Sequence, residues 1–325
     1  MFSRKIAILF LLAGTIFISG FSFPNPAAPL YDNVKAQAVA SFSDLFSGPV
    51  TIKSAGGRIV GQIALNDVQI GPDIHASQII INYNVVKYLA KRGDIVPSIS
   101  SIRVKNGEIK VLRDRRGEVS AVRILKPPKP GEGGGIPFKA KLILENCRMI
   151  YVDEAGLPYK SLGRPFQSRF ENIKGTVDLS RAPRILINLE GREKEGGEGV
   201  YIKGSANLEK GLYDITLLAK KLPLKLWGGY LIPYYDLQSG QAELSLILNQ
   251  KELRLTAKGM AEGKPFSASG QIFLGPKTRL AGTVKVKAYR GEISADGEIT
   301  FGRGDPQFKA QARMERIDLA RAVGH

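Results

Sequence analysis

One phrase recurs along this chain and limits what it can become: glycine, a small or polar residue, an apolar residue, any residue, an apolar residue. It reads Gly61-Gln-Ile-Ala-Leu65, Gly107-Glu-Ile-Lys-Val111, Gly175-Thr-Val-Asp-Leu179 and Gly204-Ser-Ala-Asn-Leu208, and returns as Gly240-Gln-Ala-Glu-Leu244, Gly270-Gln-Ile-Phe-Leu274, Gly282-Thr-Val-Lys-Val286 and Gly297-Glu-Ile-Thr-Phe301. Apolar residues two apart stand on one side of an extended strand, with the residues between them on the other. A chain written this way folds as sheet with one apolar face. The glycine marks a bend, bulge or turn exit where a side chain would crowd the backbone. Intervals between copies are irregular, so the repeat is loose rather than a strict solenoid.

The same alternation fills the stretches between copies. Leu142 and Leu144 stand between Lys141 and Glu145, and Ile185, Ile187 and Leu189 continue the pattern. Leu244, Leu246 and Leu248 alternate with Glu243 and Ser245, Leu253 and Leu255 with Arg254 and Thr256, and Val284 and Val286 with Lys285 and Lys287. With Ile63 and Leu65, these residues form the expected inner face. A longer internal match aligns Val104–Asp114 with Leu144–Glu154 and sets Cys147 where the sister copy has Gly107. That position suits a small residue in a tight spot. As the sole cysteine, Cys147 makes no intrachain disulfide and no cysteine-built zinc site.

Helical signals are few. Asn84–Lys91, Leu224–Leu231 and Asp318–Val323 read as short helices. Tyr31–Phe46 is amphipathic through Val34, Ala38, Phe42 and Leu45, and either lies at a bilayer surface or caps the end of the following sheet. Gly131-Glu-Gly-Gly-Gly135, after Pro127-Pro-Lys-Pro130, is a flexible loop. It divides a first β section, 48–130, from a repetitive one, 131–325.

The N-terminus sets the compartment. Arg4 and Lys5 precede an uncharged run from Ile6 to Phe23, which includes Ile6, Leu9, Leu12, Ile16 and Phe17. As a helix it spans roughly 27 Å, enough for a hydrocarbon core. A cleaved signal peptide is the competing reading, but Ile18-Ser19-Gly20 is a poor cleavage site. A retained anchor at 1–23 is preferred, and in either case the remainder is exported. Residues 24–47 are then a proline-stiffened spacer and the amphipathic helix. Lys plus Arg number 47 against 30 Asp plus Glu, a net charge of +17. In an exported chain this points to membrane headgroups rather than nucleic acid.

Catalytic signals are weak. The chain has two histidines, His75 and His325. The best carboxylate set, Asp153-Glu154 with Asp236, reads as solvated turn residues, and His75, beside Asp73 and Ser77, as a polar strand residue. No catalytic residue, metal ligand or cofactor is expected.

A one-sided sheet must cover its apolar face. Pattern alone favours a sandwich, the commoner solution. The single anchor and the scarcity of aromatic core fillers, with Trp227 the only tryptophan, favour a long open sheet whose trough takes lipid.

The order of elements then carries a resemblance. Gly48–Ile52, Arg58–Ile70, Ala76–Tyr83, the short helix with Tyr88 and Leu89, Ile99–Gly107 and Arg113–Gly117 follow one another as in the TamB and AsmA-like envelope proteins. The later strands and Ile317–Leu319 resemble that family's repetitive middle. The resemblance rests on order and extent over most of residues 1–125. It implies the N-terminal part of a longer family member, and a mainly β fold: an N-terminal transmembrane helix, then an elongated, curved antiparallel β-sheet groove (a β-taco) with a few short helices. It further implies a non-enzymatic bridge-like lipid transfer protein, single-pass in the inner membrane with its bulk in the periplasm. Its inward Leu, Ile and Val residues would carry phospholipid acyl chains towards the outer membrane, with an outer-membrane assembly protein as a further partner. The alternative is an exported β-sandwich that assists outer-membrane or surface protein assembly.

Overall fold

The structure, a computed structural model, describes residues 30–58, 61–90, 96–120, 139–155, 166–207, 209–231, 238–273, 279–288, 291–300 and 307–316. The predicted anchor, with Ile6, Leu9, Leu12, Ile16 and Phe17, lies outside the described residues, as do Gly131–Gly135, Asp236 and the predicted helix at 318–323. Among the described residues no helix is long and apolar enough to cross a membrane.

The alternating stretches all become strands: β1 (Val50–Gly56), β2 (Gln62–Ile70), β3 (Ile74–Tyr83), β4 (Ile99–Arg113), β5 (Lys141–Asp153), β6 (Phe166–Asp178), β7 (Arg184–Glu193), β8 (Gly199–Asn207), β9 (Leu212–Pro223), β10 (Gly240–Asn249), β11 (Glu252–Ala261), β12 (Lys264–Phe273), β13 (Arg279–Ala288), β14 (Gly291–Thr300) and β15 (Gln307–Glu315). They neighbour one another in chain order in a single sheet. The described helices are α1 (Leu30–Leu45), α2 (Val85–Ala90) between β3 and β4, and α3 (Leu224–Leu231) between β9 and β10. The fold is mainly β.

One pairing corrects the expectation of an antiparallel sheet. β4 and β5 run parallel, with Ile102 beside Leu142 and Val104 beside Leu144. Residues 114–140 give the chain enough length to return to its starting end, which a parallel pair requires. The two segments that align in sequence are therefore neighbours in space, residue for residue.

By its internal contacts the chain forms two compact units. The first holds α1, β1 to β6, α2 and β7 as far as Gly191; the second holds β9 to β15 and α3.

In the first unit, cross-strand register stacks the apolar residues into rows. Ile63, Ile81, Ile102, Leu142 and Val177 form one, and Leu65, Ile79, Val104, Leu144 and Gly175 the next. Most are buried, with Leu65, Ile102 and Leu142 fully so. Helix α1 packs on β1; its Val34, Ala38 and Phe42, and Phe46 just after it, are buried, with Phe42 and Phe46 edge to face at 6.3 Å. The helix thus covers part of the sheet, as the capping reading expects.

A line of kinks crosses these strands. Asp67, Asn106, Asn146 and Asn172 hold φ near +50° in β2, β4, β5 and β6. Asn and Asp tolerate this left-handed conformation better than other residues with a side chain. Asn146 Nδ2 donates to Asn106 Oδ1 at 2.7 Å. Each kink interrupts the alternation, as a β-bulge does, so Val104 and Gly107 face the same way although they are three apart.

Candidate functional site

The site expected from the sequence is a surface, and each unit presents its part differently. In the first unit Ile63, Leu65, Leu142 and Leu144 share the rows above, and Ile185, Ile187 and Leu189 continue on β7. Ile63, Leu65, Leu142, Ile185 and Ile187 are buried; Leu144 and Leu189 are half-buried. Close approach of strands explains one repeat glycine here. A Cβ on Gly175, whose φ is +135°, would fall 2.1 Å from the Asn188 carbonyl oxygen. On Gly107 it would fall 3.1 Å from Cys147 Sγ. The room that Gly107 leaves is thus filled by the sulfur of its partner in the internal match.

Cys147 is a packing residue. It is buried, its Sγ donates to the carbonyls of Val104 (3.6 Å) and Glu145 (3.7 Å), and burial pushes the thiol pKa up. A raised pKa disfavours the thiolate that nucleophilic chemistry needs.

In the second unit the register sets out the same apolar face over seven strands. Ile215, Leu248, Leu253 and Ile272 occupy one row; Leu217, Leu246, Leu255 and Gly270 the next; Ala219, Leu244, Ala257 and Ala268 a third. Beyond β12, which pairs with β13 at Phe273 and Arg279, the rows resume as Leu280, Ile299, Phe308 and as Gly282, Gly297, Ala310. Val284 stands opposite Ala295 and Val286 opposite Ile293; the side chains of the two valines lie outside the described residues.

Exposure differs in part between this face and that of the first unit: Ile215, Ala219 and Ala257 are buried here as well, but the leucines between them are less covered. Leu244, Leu246, Leu248, Leu253 and Leu255 are all half-buried. Phe308 and Met314, on β15, are each 68% exposed. A Cβ on Gly270 would meet nothing within 4 Å. Crowding therefore does not account for that glycine, contrary to the sequence reading, because the space above it is open. The opposite face carries Glu243 bridged to Lys258 at 3.5 Å, together with Arg254, Thr256, Ser269 and Gln271.

A hollow of about 1080 Å³ in this unit is lined mainly by residues of the opposite face, and also by Gly270, Gly297, Phe308 and Ala310 of the rows above. Its walls combine Arg254, Gln271, Asp296, Glu298 and Lys309 with Phe273 and Phe308, and include none of the predicted lining residues. An open apolar face encloses little volume, so the candidate surface is defined by register and exposure.

The remaining candidates behave as structural groups. Asp153 is fully buried, salt-bridged to Arg113 Nη1 at 3.1 Å, and accepts the Ala155 N–H at 2.8 Å, while Glu154 is exposed. Arg113 holds this carboxylate in place at the end of the β4–β5 pair. His75 Nε2 meets Asp67 Oδ1 at 2.9 Å, rather than Asp73 or Ser77. Among the described residues no cluster of His, Cys, Asp and Glu could hold a metal ion.

The sequence reading omitted several members of the face, including Ile81, Ile102, Val177, Ile215 and Leu217. Their signal is the same alternation, which on β4 and β6 runs in the same strands as the repeat glycines Gly107 and Gly175. No protein-family model matches the chain, and the search of curated proteins returned no match.

Proposed function

We propose that the chain is an inner-membrane-anchored, non-enzymatic protein that shelters phospholipid acyl chains on the apolar face of its sheet. In this reading it takes part in lipid transfer between envelope membranes and in outer-membrane biogenesis. The observation that carries the proposal is the apolar face of the second unit, where leucines at matching register are only partly covered. An acyl chain laid on such a surface gains about 0.8 kcal/mol for each CH₂ it buries. The segment Ile6–Phe23 would hold the protein to the inner membrane, leaving the bulk in the periplasm. The lysines of the polar face keep the sheet soluble and discourage edge-to-edge pairing.

Native mass spectrometry with lipid extraction, on the full chain purified from membranes, tests the proposal. Phospholipid bound in defined stoichiometry is the expected result. A clean apo mass overturns it. The buried rows of the first unit favour a second reading, an exported β-rich protein with a protein-filled core that assists outer-membrane or surface protein assembly. That reading expects the clean apo mass and a co-purifying protein.

A further inference from the structure

The most exposed large apolar side chains described in the first unit sit together on one short helix. On α2, Val86 is 76% exposed and Leu89 69%. A spacing of three places them on one side of the helix. Lys87, between them in sequence, is exposed as well. The helix is held in place: Asn84 Oδ1 accepts the Lys87 N–H at 3.0 Å, and Tyr88 packs edge-on against Tyr83 at 5.8 Å.

Its surroundings suggest what it meets. Tyr83 N–H donates to the Gly61 carbonyl at 3.0 Å, and a Cβ on Gly61 would lie 3.9 Å from Val85 Cγ2, so α2 adjoins the β1–β2 turn. Arg58, in that turn, is exposed. Tyr31, in the first turn of α1, donates its hydroxyl to the Gly57 carbonyl at 2.9 Å. Helix α1 therefore starts at this same turn, and in sequence it follows the Pro24–Pro29 stretch and the uncharged run Ile6–Phe23. Two apolar side chains, two cations and the point where the apolar N-terminal run joins the fold share one end of the unit.

We propose that this end is a docking surface for an anionic lipid bilayer. Val86 and Leu89 enter the boundary between headgroups and acyl chains, and Lys87 and Arg58 meet lipid phosphates. A protein partner fits less well, since a specific protein interface buries roughly 800 Å² on each side. A patch this small binds usefully when a neighbouring tether supplies a high effective concentration. The proposal uses the reading of Ile6–Phe23 as an anchor but needs no lipid on the sheet face, so it can fail independently of the cargo proposal.

The test uses the full chain with Cys147→Ser and Leu89→Cys, labelled with a nitrobenzoxadiazole fluorophore. The chain is reconstituted in phosphatidylcholine vesicles with and without phosphatidylglycerol. A label at Arg116→Cys, beyond the far end of β4 from α2, serves as reference. The label at 89 is expected to shift to the blue and to be quenched several-fold more by lipid-borne spin labels than the label at 116, most strongly with phosphatidylglycerol. Adding Arg58→Glu and Lys87→Glu should remove the phosphatidylglycerol enhancement while leaving the circular dichroism unchanged. A label at 89 as aqueous as that at 116 overturns the proposal. So does a shift indifferent to phosphatidylglycerol and to the two charge reversals.

Discussion

The two units are written in the same alternating pattern and differ in what lies over the apolar face. In the first, Ile102 and Leu142 have no exposed surface, and α1 with the residue after it adds Val34, Ala38, Phe42 and Phe46 to the buried set. In the second, Leu246 and Leu255 remain half-buried, and Phe308 stands 68% exposed. Side-chain size accompanies the difference. The first unit's rows are mostly Ile, Leu and Val, whereas the second unit's rows mix leucines with small residues such as Gly270, Gly297, Ala268, Ala310 and Ala312. Alternation determines which face is apolar; it does not determine whether protein covers that face.

The largest expected effect comes from placing the same charge on each face. Leu142→Asp buries a carboxylate among neighbours with no cation in the row, and should cost more than about 4 kcal/mol, enough to unfold the first unit. Leu246→Asp meets solvent on one side, and should cost on the order of 1 kcal/mol while lowering the amount of phospholipid that co-purifies. Urea unfolding and lipid extraction on the two variants measure both. If Leu246→Asp unfolds the second unit as completely as Leu142→Asp unfolds the first, the second unit's face is protein-covered and the contrast between the units is gone.

The strands were legible in the sequence because period two is a strong local signal, and Leu142, Leu144, Leu246 and Leu255 stand on the faces where alternation put them. Helices α2 and α3 were likewise visible in Asn84–Lys91 and Leu224–Leu231. The parallel β4–β5 pair was hidden. The internal match between Val104–Asp114 and Leu144–Glu154 says that the two segments are alike, and likeness carries no strand direction. The kinks were hidden for a similar reason: Asn106 and Asn146 were read as parts of a repeat, while their left-handed backbone reverses the alternation that the repeat was used to extend. Asp153 looked like an exposed turn acid because its partner, Arg113, ends a strand 40 residues earlier in sequence.

Glycine substitutions give a middle-sized effect and probe the space above each face directly. Gly107→Ala must fit a methyl group 3.0 Å from Val104 Cγ1 and 3.1 Å from Cys147 Sγ. Overpacking of this kind costs roughly 1–3 kcal/mol. At Gly270 an added Cβ meets nothing within 4 Å, and Gly270→Val should be neutral or add a few tenths of a kcal/mol through its better strand propensity. Thermal melts of the two variants measure the difference. A destabilised Gly270→Val would mean that the second unit's face is occupied by protein after all, whereas a neutral Gly107→Ala would mean that the first unit's core is looser than its buried rows imply.

The smallest effect lies in two similar turns, one in each unit, the first built on a group that titrates and the second on one that does not. After β6, Asp178 Oδ1 accepts the Ser180 hydroxyl at 2.6 Å and the Ser180 N–H at 2.9 Å. The Ser180 hydroxyl, more than any other contact, holds the Asp178 carboxyl below its usual range; burial pushes the other way, and the Ser180 N–H and the charges of Lys141 and Arg181 add smaller contributions in the hydroxyl's direction. After β10, Asn249 Oδ1 accepts the N–H groups of Lys251 and Glu252 at 2.9 and 3.0 Å, a similar turn built on a neutral amide. A depressed pKa means that folding favours the carboxylate. The Asp178 contribution is therefore fully present above the unfolded carboxylate pKa of about 4, and is lost as pH falls through the lower folded value. Ser180→Ala should raise the Asp178 pKa in an NMR titration. It should weaken the first unit slightly at neutral pH, with the difference from wild type fading at strongly acid pH, while Asn249→Ala should weaken the second unit by an amount that this turn does not make pH-dependent. An Asp178 pKa unmoved by Ser180→Ala would shift the cause to Lys141 and Arg181, and salt would then abolish the depression that the hydroxyl is expected to sustain.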